Sequence, residues 1–171
     1  MAAFAAIKPS NRPLLLVIAG EGPARNELEA AAARLNLGDR CRLIGLQSDM
    51  PLVHHTLDLL VQSSESEGTP NVVLEAMAFE TPIVATDVGG TSELVRSEVD
   101  GLLVRPGEAD VLTAAMERVI LRPDEAKRRA ASARARVETH LSFDARLHRI
   151  ETIYDELVAA SRRAAGVVEQ R

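Results

Sequence analysis

Apolar runs of strand length alternate with helix-patterned stretches over the first hundred residues, and that alternation leaves few folds open. Residues 14–19 read Leu-Leu-Leu-Val-Ile-Ala, with no polar residue at any second position. A strand with that pattern is buried on both faces, which is the habit of a parallel sheet covered by helices on each side. Residues 40–44, 57–61, 82–86 and 101–104 supply four further strand patterns, with helical stretches at 25–37, 49–56 and 92–97 between them. From Asp110 onward the pattern is helical, broken at Pro123 and again near residues 140–142. The expected class is α/β: a Rossmann-like, doubly wound parallel sheet followed by C-terminal helices. Residues 1–160 form the expected domain, and residues 161–171 a frayed tail.

At 171 residues the chain is long enough for one full core and too short for two large ones. Aromatics are 2% with no Trp, which argues against base-stacking nucleic-acid modules, and a net charge of −5 argues against general affinity for polyanions. No nucleic-acid partner is expected. Cys41 is the only cysteine, so neither an internal disulfide nor a cysteine-based metal site is expected. The start lacks a basic leader with a long apolar core, and the run at 14–19 is far below the ~18 residues of a membrane span. A cytoplasmic protein without a transmembrane segment is the expectation.

The segment with most chemistry is Ser63-Ser-Glu-Ser-Glu67-Gly-Thr-Pro-Asn-Val-Val-Leu-Glu75-Ala-Met-Ala78. Thr69 suits an N-cap and Pro70 the first helical position, which would leave the amides of Asn71, Val72 and Val73 facing outward at the positive end of a helix dipole. That is a place for a phosphate. Glu75 lies among apolar residues of the same helix, where a carboxylate is costly unless hydrogen-bond donors such as sugar hydroxyls meet it. An anion site beside hydroxyl-binding carboxylates describes a nucleotide-sugar pocket. The turns at Gly20 and Gly22 and at Gly89-Gly90 fall at strand carboxyl ends, where such sheets bind ligands.

Other features have blander readings. Gly20 and Gly22 are not a dinucleotide fingerprint, because Arg25 holds the third glycine position. Gly89-Gly90 with Glu93 reads as a turn and a first-turn helix acid rather than a site. His54 and His55, adjacent on one short helix, face different directions and read as surface or interface residues. The basic run at 127–136 could lie on an anionic membrane surface or near a lipid-linked acceptor; flanking acids favour a solvated helix.

Ala19-Gly20-Glu-Gly-Pro23, Leu43-Ile-Gly45, the run from Ser64 through Glu75-Ala-Met-Ala, and Val84-Ala-Thr-Asp-Val-Gly-Gly-Thr-Ser-Glu93 together resemble the carboxy-terminal, donor-binding half of a retaining GT-B glycosyltransferase of group 1, or family 4. The resemblance extends from the first strand to Tyr154. It implies that Glu67, the catalytic candidate, touches hydroxyls of the transferred sugar and that Glu75 holds the ribose. It implies that the backbone of Gly68, Thr69, Pro70, Asn71, Val72 and Val73 cradles pyrophosphate and sugar, that Gly20 and Gly22 approach the ligand, and that Leu46 and Gln47 lie near the base. The donor would be a UDP-, GDP- or ADP-sugar, with no cofactor and no obligatory metal. The reaction would be hexosyl transfer to a sugar or lipid-linked acceptor.

Two departures accompany the resemblance. Glu80 stands where the family has a glycine after the helix, and must accept strain or end the helix differently. The resemblance places the chain's start after the family's first, central strand, so that strand with its Arg/Lys loop and the acceptor domain are expected to be absent. Two strands would then be left unpaired or pairing with each other, and the chain alone would be inactive. The alternatives are a nucleotide- or sugar-phosphate-binding module without turnover, and a nucleotide-sugar epimerase, which would need catalytic acids from a second domain.

Overall fold

The computed structural model describes residues 1–7 and 13–168, with side chains as far as Ser161. The chain divides into two compact units, Met1–Arg134 and Ala135–Arg171. In the first unit the order is α1 (Ala2–Ala5), β1 (Leu16–Ala19), α2 (Arg25–Arg34), β2 (Cys41–Gly45), α3 (Met50–Thr56), β3 (Leu60–Gln62), α4 (Asn71–Ala78), β4 (Ile83–Thr86), α5 (Thr91–Leu94), β5 (Leu102–Val104) and α6 (Ala109–Leu121). Helix α7 (Pro123–Arg136) follows, starting on the proline that breaks the pattern, as expected for a residue with no amide to donate. In the second unit a π-helical turn (Val137–Leu141) precedes α8 (Phe143–Val168), whose first turn is capped by Ser142 Oγ accepting from Ala145 N at 3.2 Å. Of the expected frayed tail, residues 169–171 lie outside the described residues.

All strand pairs are parallel, but they form two sheets rather than one: β1 with β2, and β3–β4–β5. Strands β1 and β3 do not pair with each other. Both line a cavity of about 470 Å³, which Leu16, Val17, Ile18, Leu60, Val61 and Gln62 border together with Phe4 and Met116. Burial follows this division. Every residue of β4 is buried, whereas Leu16, Val17 and Ile18 of β1 and Leu60 and Val61 of β3 are only half-buried despite their apolar character. The core consists of Val84, Leu102, Val104, Val119 and Ala126 around the three-stranded sheet, and Ala3, Phe4, Ile7, Leu37 and Met116 beside β1.

The third strand begins at Leu60, three residues later than its apolar pattern suggests. Leu57 N–H bonds to His54 O at 3.2 Å, so Leu57 closes α3 instead of opening β3. Helix α2 ends short of Leu37 in a Schellman turn, with Leu37 N bonded to Ala32 O and Asn36 N to Ala33 O, each at 3.0 Å, and Asn36 at φ 51°.

Beyond β4, Asp100 ties a loop to a helix. Its carboxylate is 1% exposed and accepts from Arg96 Nε (2.7 Å), Arg96 Nη2 (2.8 Å), the Arg96 amide (3.1 Å) and Ser132 Oγ on α7 (2.8 Å). Burial pushes its pKa up, but those donors, with Arg96 beside it, more than offset burial and hold the carboxyl below the usual aspartate range.

Candidate functional site

The loop between β3 and α4 is built to hold one shape. Thr86 Oγ1, at the end of β4, donates to Ser64 O at 2.6 Å, and Gly90 N donates to Gly68 O at 2.8 Å. Those two bonds fix the chain on both sides of Glu67, whose Oε1 accepts from Ser64 Oγ at 2.6 Å. The turn from Gly89 to Gly90 is therefore a buttress. A Cβ on Gly89 would lie 1.7 Å from Glu67 O, and one on Gly90 would lie 2.4 Å from Gly68 O. Only glycines let the two backbones meet this closely.

Helix α4 starts one residue later than its cap pattern suggests. Pro70, with φ −73° and ψ 105°, is the N-cap, Asn71 is the first helical residue, and the Thr69 side chain caps nothing. The ring of Pro70 fixes φ near the observed value, while its extended ψ places it before the helix rather than in it. Val73 N bonds Pro70 O at 3.1 Å, so of the three amides expected to face outward, Asn71 and Val72 alone have no acceptor among the described residues. Pro70 itself is buried, and Gly68 and Thr69 are exposed.

Glu75 lies one turn further along α4 with its side chain 43% exposed, so it is not a buried carboxylate. Its Oε2 is 3.3 Å from His54 Nε2. His54 is 2% exposed, which corrects its reading as a surface residue; His55 is exposed, as adjacency on one helix requires. Both rings contact Phe79, His54 stacked at 5.4 Å between centroids and His55 edge-on at 5.2 Å. The signal for burying His54 was the apolar helix opposite it, with Phe79 one turn beyond Glu75; only the packing of α3 on α4 shows which histidine faces it.

Glu67, Ser63, Ser64, Val72 and His54 line the cavity that β1 and β3 border, with Ala19 at the end of β1. Gly20, Gly22, Leu46, Gln47 and Glu75 are not among its lining residues. Gly20, at φ 129°, donates N–H to Gly45 O at 2.8 Å, which closes β1 on β2 and gives the glycine a structural task. Gly22 has open space where a Cβ would stand. Leu46 is 80% exposed, and Gln47 folds back to donate Nε2 to Ile44 O at 2.7 Å. Among the described residues no three His, Cys, Asp or Glu side chains are grouped so as to hold a metal ion.

Comparison with known proteins shows the family and the fold. The family described as glycosyl transferases group 1 matches residues 1–136. An alpha-D-kanosaminyltransferase of Streptomyces kanamyceticus is 31% identical over 157 residues, spanning 91% of this chain and 41% of that protein. The Anabaena protein HepE, solved with UDP-glucose, superimposes with a TM-score of 0.77 at 28% identity, over 92% of this chain and 43% of its own. The C-terminal domain of a Francisella tularensis group 1 family protein shares the fold at a TM-score of 0.75, with 83% of this chain covering 77% of that domain. The sequence thus spans less than half the length of the kanosaminyltransferase and of HepE, and its α/β fold is that of a GT-B C-terminal domain. By sequence and by fold, the chain belongs to the group 1 glycosyl transferases, with the fold of a GT-B C-terminal domain.

Proposed function

We propose that this chain binds the nucleoside diphosphate sugar of a retaining glycosyltransferase and presents its hexosyl unit to a carbohydrate or lipid-linked acceptor. The observation that carries the proposal is the pinned loop itself. Thr86 and Gly90 hold the backbone around Glu67, and α4 then opens with two amides that have no acceptor among the described residues, at the positive end of its dipole. The diphosphate sits at Asn71 and Val72, the sugar hydroxyls at Glu67, and the ribose diol at Glu75. As the glycosidic bond breaks, negative charge grows on the diphosphate, and the helix amides stabilise it without a metal or organic cofactor. The proposal places the protein in the cytoplasm, where nucleotide sugars are available; no helix among the described residues is long and apolar enough to cross a membrane.

The chain alone is proposed to lack turnover. A partner domain supplies the acceptor site, and a further strand belongs between β1 and β3, where two half-buried apolar strands face one cavity. The same observation supports the second reading, a nucleotide- or sugar-phosphate-binding module without catalysis. Calorimetric titration with UDP, GDP and ADP, then with the matching nucleotide sugars, tests both. Saturable binding of one nucleotide with tighter binding of its sugar supports the donor site; equal affinity for nucleotide and nucleotide sugar favours the module. Sugar transfer by the purified chain would refute the incomplete-enzyme proposal.

A further inference from the structure

Imidazole is a costly group to bury where His54 sits. The ring is 2% exposed, and its Nδ1 finds no hydrogen-bond partner among the described residues. Phenylalanine would fill much the same volume, stack equally well on Phe79 and leave no buried nitrogen unsatisfied. Among the described residues the ring's one polar contact is Nε2 to Glu75 Oε2, so what offsets the cost of burial there acts through that atom.

The surroundings fix the ring. Asp49 caps α3 by accepting from Leu52 N at 3.0 Å, the ring lies 10° from parallel on Phe79, and Thr81 Oγ1 donates to His54 O at 3.4 Å. Glu75 on α4 and Phe79, the helix's C-cap, are four residues apart and so share one face, which brings carboxylate and aromatic ring under the same imidazole. A half-exposed glutamate otherwise samples many rotamers, and each one frozen on binding a ligand costs conformational entropy. A fixed donor at Oε2 removes much of that freedom in advance.

We infer that His54 is a positioning residue: its Nε2–H holds the Glu75 carboxylate in the orientation that receives the vicinal diol of a ribose. The inference rests on the donor-domain function proposed above, and the experiment separates the two. His54→Phe keeps volume and stacking but removes the donor. His54→Gln places an amide nitrogen near the position of Nε2.

On the full chain, nitrogen-15 NMR of the histidine rings is recorded first, without ligand. A protonated His54 Nε2 whose resonance shifts in Glu75→Gln supports the pair, and a resonance that ignores Glu75→Gln overturns it. Titration with UDP, GDP and ADP follows. For the nucleotide that binds, His54→Phe weakens affinity about 10-fold, the size of a lost charge-assisted hydrogen bond. His54→Gln recovers most of that loss, and His54→Phe has no further effect in a Glu75→Gln background. Equal losses from His54→Phe in both backgrounds would overturn the inference, because the histidine would then act by packing alone. The 2′,3′-dideoxy form of the nucleotide tests the ribose reading separately. If Glu75→Gln leaves the preference for ribose over dideoxyribose intact, that reading fails, and the His54–Glu75 pair is then judged on the ring resonances. If no nucleotide binds, the donor reading of this chain fails and the ring resonances again decide.

Discussion

Gly90 donates its backbone N–H to Gly68 O at 2.8 Å, joining the turn after β4 to the loop that carries Glu67. The contact leaves no room for a side chain at either glycine of the turn. Gly89→Ala adds a left-handed φ (51°) to a 1.7 Å approach to Glu67 O. It is expected to destabilise the fold by about 2–3 kcal/mol, through overpacking and backbone strain together. Because the strain falls on Glu67, affinity for a nucleotide sugar should fall more than affinity for the bare nucleotide. Urea denaturation and paired titrations check both halves.

The two acids divide the ligand between them. Glu75→Gln is expected to weaken binding of the bare nucleoside diphosphate by about 1–3 kcal/mol, the range for a lost hydrogen bond to a charged group. Glu67→Gln should leave the bare nucleotide unaffected and weaken only the sugar-bearing ligand. Calorimetry on both variants with both ligands decides, and equal losses with the bare nucleotide would refute the division.

Much of this was legible in the residues, and the misses have local causes. Unbroken apolar runs announced parallel strands, and the motifs around Glu67 and Glu75 announced the family. That β1 and β3 stand in two separate sheets bordering one cavity depends on packing that no run of residues records. The start of α4 slipped by one residue because the cap was decided by the ψ of Pro70, not by the hydroxyl of Thr69. His54 and His55 were indistinguishable by type and spacing; their fates differ only because α3 turns one of them onto Phe79. The Gly89-Gly90 turn was read correctly as a turn, but its contact with a loop some twenty residues earlier is a tertiary fact.

Glu80 bears out the strain its position implied. It sits at φ 54° as the left-handed residue of a Schellman turn, with its own N–H on Met77 O at 3.3 Å and Thr81 N–H on Ala76 O at 2.9 Å. Asn36 holds the equivalent place after α2 with a residue type that tolerates this conformation better. Glu80 is exposed, so Glu80→Gly removes the strain without opening a cavity. Glycine's greater freedom in the unfolded chain offsets part of the gain, leaving a net stabilisation of about 0.5–1 kcal/mol. A higher urea midpoint with an unchanged slope is the expected result.

Asp100 makes stability depend on acid. Its donors hold the carboxyl below the ordinary aspartate value despite burial, so the folded state binds this proton more weakly than the unfolded state does. The sign follows from linkage: the contribution is fully present above the unfolded pKa of about 3.9 and is lost as pH falls through the lower, folded value. Asp100→Asn keeps the shape but removes the charge that three Arg96 donors and Ser132 converge on. Arg96 is itself half-exposed and can return to water, so the loss should be about 1–3 kcal/mol near neutral pH rather than the larger figure for a fully buried pair. Urea midpoints of the parent and the variant, measured from pH 7 down to pH 3, should converge as the parent loses its advantage. A gap that stays constant over that range would show that Asp100 contributes by packing and not by its charge.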